Sequence, residues 1–99
     1  MSYIDELKDA ILKLHGCEAD HVKTVPVLER FHGRPVWQGE VEVFDIRGHP
    51  VAKRAYAWSH DTDEGKKRYV AVLELPPVDS ANSAVKAAIV DEARKKQGK

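Results

Sequence analysis

The chain has 99 residues, 42% of them hydrophobic and 32% charged, which suits one folded domain with one core and excludes wholesale disorder. Sixteen Lys and Arg balance sixteen Asp and Glu, so the basic excess usual for a dedicated nucleic-acid or membrane-surface protein is missing. Cys17 is the single cysteine, which excludes an internal disulfide.

The acidic start, Met1-Ser2-Tyr3-Ile4-Asp5-Glu6, has no signal-peptide character, and no apolar run approaches the roughly 18 residues of a membrane span. The expected setting is cytoplasmic. Tyr3, Ile4, Leu7, Ala10, Ile11 and Leu14 recur at helical spacing, with Ser2 as N-cap and Gly16 as stop, and predict a helix over 2–15.

A β-rich stretch follows, with strands expected near 21–31, 36–46, 52–60 and 68–75. Their separators, His32–Pro35, Arg47–Pro50 and Asp61–Lys66, are short enough for hairpins and predict four antiparallel strands in consecutive order. Pro26 lacks an N–H, which places the first strand at an edge or at a bulge. After Pro76-Pro77, Asp79 or Ser80 can cap a last helix whose apolar face carries Ala81, Ala84, Val85, Ala88 and Ile89. Residues 94–99 read as a frayed basic tail. The fold class is α+β, in the order α-β-β-β-β-α, one domain over 1–99, with both helices expected on one face of a meander sheet.

Three chemistries are open to such a chain. His15, Cys17 and His21 form H-x-C-x3-H, to which His49 would add a fourth zinc ligand from the turn after the second strand. Paired Cys-x-x-Cys is lacking, and the same residues read singly as a helix-end histidine, a buried thiol and a strand start, so no metal is expected. Cys17 follows the negative end of a helix and precedes Glu18 and Asp20, the wrong surroundings for a thiolate nucleophile. No phosphate loop or hydrolase elbow occurs, and neither catalysis nor a cofactor is expected.

Gly48-His49-Pro50, Lys53-Arg54 and Tyr56, followed by a strand and an Ala-rich helix, resemble the second half of a double-stranded RNA-binding domain over residues 36–93. The resemblance implies a loop for the minor groove, with Arg47, His49, Lys53 and Arg54 as the binding set. Asp79-Ser80-Ala81-Asn82-Ser83 stands where that family carries lysines, so the likeness bears on topology more than on activity. His15-Gly16-Cys17-Glu18, Val41-Glu42-Val43-Phe44, Gly48-His49-Pro50 and Tyr56-Ala57-Trp58-Ser59 resemble a family of small bacterial proteins that has no established activity.

Finally, Tyr56, Trp58 and His60 share one face of the third strand, joined by Trp37 from the second. With helices over the Ala55/Ala57 face, this aromatic face would be open and suited to pairing with a second copy; the competing reading makes it core. The expected function is thus a non-enzymatic binding or interaction module that self-associates through its sheet as a homodimer. Nucleic-acid binding is the alternative, and a metal protein or Cys/His enzyme the third reading.

Overall fold

A computed structural model describes residues 2–31 and 33–97, with side chains for 2–30, 33–34 and 37–91. Its elements are α1 (Tyr3–His15), β1 (Glu18–Phe31), β2 (Arg34–Arg47), β3 (Arg54–Asp61), β4 (Lys67–Leu73) and α2 (Ala81–Gln97). The strands form one antiparallel sheet in the order β1-β2-β3-β4, the expected meander. Among the described residues no helix is long and apolar enough to cross a membrane.

The helix ends follow their capping residues. Ser2 Oγ accepts from the Asp5 N–H at 3.2 Å, and Gly16 at φ 71° closes α1 with its N–H donating to Leu12 O at 2.8 Å. Ser80 caps α2, its Oγ accepting from the Ser83 N–H at 3.2 Å. Helix α2 is described through Gln97; the side chains of 94–97 and all of Gly98 and Lys99, over which a frayed tail was expected, lie outside the described residues.

Strand β1 is an edge, one of the two placements that Pro26 allows. Its register shifts fall between His21 and Lys23 and between Glu29 and Arg30, on either side of the proline. The β1–β2 hairpin is much longer than its junction with β3. Only Glu42–Asp45 of β2 pairs with β3, so the far half of the hairpin projects past the sheet beside α2.

One expectation fails. The helices do not share a face; they lie on opposite faces of the sheet. Leu7 and Ile11 of α1 pack with Phe44, Ile46, Ala55 and Ala57, whereas Ala81, Ala84 and Val85 of α2 pack with Val41, Val43, Tyr56 and Trp58. Successive strand residues point to opposite faces, so these two sets mark the two sides. The reason is that both faces are apolar, and leaving either to water would forgo about 25 cal/mol for each Å² of apolar area.

Candidate functional site

The turn between β2 and β3 lies against the end of α1, as the meander requires: a Cβ on Gly48 would stand 3.8 Å from Gly16 O. The residues that a zinc site would have drawn together there are committed separately. His49 Nδ1 accepts the N–H groups of Val51 and Ala52 at 3.0 and 2.8 Å, which folds the turn around its ring. Cys17 is 1% exposed and its thiol donates to His15 O at 3.4 Å. His21 Nε2 pairs with Glu42 Oε1 at 2.8 Å, and Thr24 donates to the same oxygen at 2.5 Å. These two bonds satisfy a carboxylate that is buried in the sheet. Among the described residues, no group of three His, Cys, Asp or Glu is placed to hold a metal ion.

The basic set is likewise engaged. Arg47 reaches Asp20 at 3.3 Å and Glu18 at 3.5 Å, and Arg54 reaches Asp45 at 3.3 Å. Lys53 is exposed beside them. Each arginine therefore faces carboxylates of its own sheet, and a phosphate would have to displace them.

The aromatic set takes the core reading. Tyr56 and Trp58 are 3% and 2% exposed beneath α2, so the open face expected for them does not exist. Trp37 meets Trp58 edge to face, ring centroids 5.7 Å apart, and its ring lies over Gly39, where a Cβ would come within 3.2 Å. His60 stands at the rim of a small cavity of about 260 Å³ with Trp37, Trp58, Val85 and Ile89. Tyr56 donates to the Glu74 carboxylate, and burial, then this bond, push its phenol up to about 12. Tyr69 donates to Glu6 at 2.5 Å, a bond that, with burial, raises its phenol as well.

A larger concavity than the one beside His60 lies elsewhere, along the outer edge of β4. It is a groove of about 560 Å³ between Leu14 and His15 of α1 on one side and Ala87 and Ala88 of α2 on the other, with β4 as its floor. The direction of the β4 peptide groups follows from their partners. The Glu74 N–H donates to Arg54 O at 2.8 Å, so even-numbered residues face β3. Tyr69, Ala71 and Leu73 therefore turn their N–H and C=O groups outward. His15 Nε2 meets Ala71 O at 2.9 Å; a carbonyl only accepts, so this ring nitrogen carries the hydrogen. Leu73 O accepts from the Leu75 N–H at 2.9 Å. Among the described residues no strand pairs with this edge.

Sequence reasoning placed its candidates on the histidines, the basic turn and the aromatic strand and passed over β4. The available signal was positional. The last strand of a meander is an edge, and Tyr69-Val70-Ala71-Val72-Leu73 holds none of the charges or prolines that usually blunt one. No family model matches the chain, and no curated protein or solved structure matches it.

Proposed function

We propose that the protein is a non-enzymatic interaction module whose docking element is the outer edge of β4, which takes up an extended polypeptide segment as an additional strand. The observation that carries this reading is the outward row of Tyr69, Ala71 and Leu73 peptide groups at the floor of a groove walled by both helices. Outward N–H groups at two-residue spacing select an extended backbone, while the alternation of β4 side chains sorts the incoming ones. Ala71, Ala87 and Ala88 leave room for larger side chains on the docking segment. Main-chain bonds supply affinity here without any reactive group, in keeping with a Cys17 thiol bonded to a carbonyl and histidines committed to structural bonds.

Nucleic acid is the weaker reading, because Arg47 and Arg54 already face Glu18, Asp20 and Asp45. A cytoplasmic, reducing setting belongs to the same proposal and suits a lone free thiol.

The test uses a fluorescein-labelled synthetic peptide that copies Lys67–Glu74, titrated with the protein and read by anisotropy. Saturable binding is expected, weakened about tenfold by Ala71→Pro, which removes an outward N–H at an edge position where proline is tolerated. Equal binding by wild type and Ala71→Pro would refute the docking edge.

A further inference from the structure

We infer that the segment docking on β4 is the β4 strand of a second copy, so that two chains join edge to edge about a two-fold axis through Ala71 and form one continuous sheet. This inference rests on the docking-edge reading and deepens it by naming the occupant. A two-fold axis perpendicular to the sheet pairs a strand antiparallel with itself. Centred on Ala71, the pairing sets Val70 opposite Val72 and Tyr69 opposite Leu73, and brings Arg68 to Glu74, which stands one residue past the end of β4 and accepts from Tyr56 within its own chain. The outward residue at the centre supplies the pair of N–H to C=O bonds that an antiparallel ladder requires.

Side-chain chemistry selects this register. On the face covered by α2, valine meets valine and an arginine meets a glutamate, twice per dimer. On the face covered by α1, Tyr69 and Leu73 flank the two Ala71 methyl groups. Moving the axis by one residue along β4 removes the Arg68–Glu74 juxtaposition. Opposite charges placed directly across a ladder are favourable and like charges are not. The groove rim adds apolar surface, since Leu14 is 59% exposed on α1 beside the edge. His15 must release Ala71 O for the central bonds to form. Its ring N–H occupies the place that the partner's amide N–H takes in the dimer.

The experiment is sedimentation velocity on the full chain across a concentration series. Wild type is expected to pass from monomer to dimer as concentration rises, and Ala71→Pro to remain monomeric. Arg68→Glu alone and Glu74→Arg alone are each expected to weaken the dimer about tenfold, because each sets like charges opposite one another twice. An equimolar mixture of these two variants is expected to recover association, since each new charge then faces its opposite on the other chain. Far-ultraviolet circular dichroism confirms that each variant is folded. A chain that stays monomeric throughout, or a dimer that ignores Ala71→Pro and both charge variants, overturns the inference. If the Lys67–Glu74 peptide still binds while the chain stays monomeric, the docking edge stands and the second copy is refuted; if neither associates, both fall.

Discussion

Replacing Trp58 by alanine decides whether the aromatic strand is core or binding surface. In the structure this ring is 2% exposed, enclosed by α2 and Val70 and set edge to face on Trp37. Truncating a fully buried tryptophan costs about 3–5 kcal/mol, and the lost ring pair accounts for roughly 0.5–1.5 kcal/mol of interaction. A domain of this size has about 5–15 kcal/mol to lose, so Trp58→Ala removes a large share of it. The melting temperature should fall by more than about 10 °C. Urea unfolding followed by circular dichroism, with the fluorescence of the remaining Trp37 as a second probe, measures the change. Val51→Ala, at a residue 65% exposed, serves as the control and should stay within about 0.5 kcal/mol of wild type. A Trp58→Ala loss below about 1 kcal/mol would mean that the ring is at the surface, and the placement of α2 over Trp58 would be wrong.

Other outcomes follow from individual contacts. His15→Ala frees Ala71 O and should tighten self-association in sedimentation experiments; weaker association would contradict the role given to His15 at the edge. His49→Ala removes the acceptor for the Val51 and Ala52 N–H groups and should cost about 1–2 kcal/mol in urea unfolding, with a more labile turn in hydrogen exchange. The Tyr56 phenol lies at about 12 in the folded chain against 10.0 ordinarily, so the native state holds its proton where the unfolded state has lost it. That contribution is complete below pH 10 and is lost as pH rises toward 12, so stability should fall over this window; Tyr56→Phe should make the fall shallower. Buried Cys17 should react with a thiol reagent only on unfolding, and fast labelling of the native protein would contradict its burial.

Helix α1 was legible because its two ends carry their own chemistry, a serine oxygen for the first turn and a glycine free to take φ 71° after the last. Strand order was legible because short Gly-rich separators leave no room for crossovers, and Pro26 announced its edge through its missing N–H. These are local properties, and a sequence states them directly. What covers each face of β3 is not local. Alternation separates Ala55 and Ala57 from Tyr56 and Trp58, but a period of two gives both sides equal standing. Small alanines beside α1 suggested one covered face and one open face; the second helix crosses to the aromatic side instead, because that side also holds Val41, Val43, Val70 and Val72. Pairing across the sheet sent His21 to Glu42 and Arg47 and Arg54 to nearby acids, while His49 closed on its own turn. The groove along β4 depends on where two helices distant in sequence come to rest on either side of one strand, so only the tertiary structure decided it.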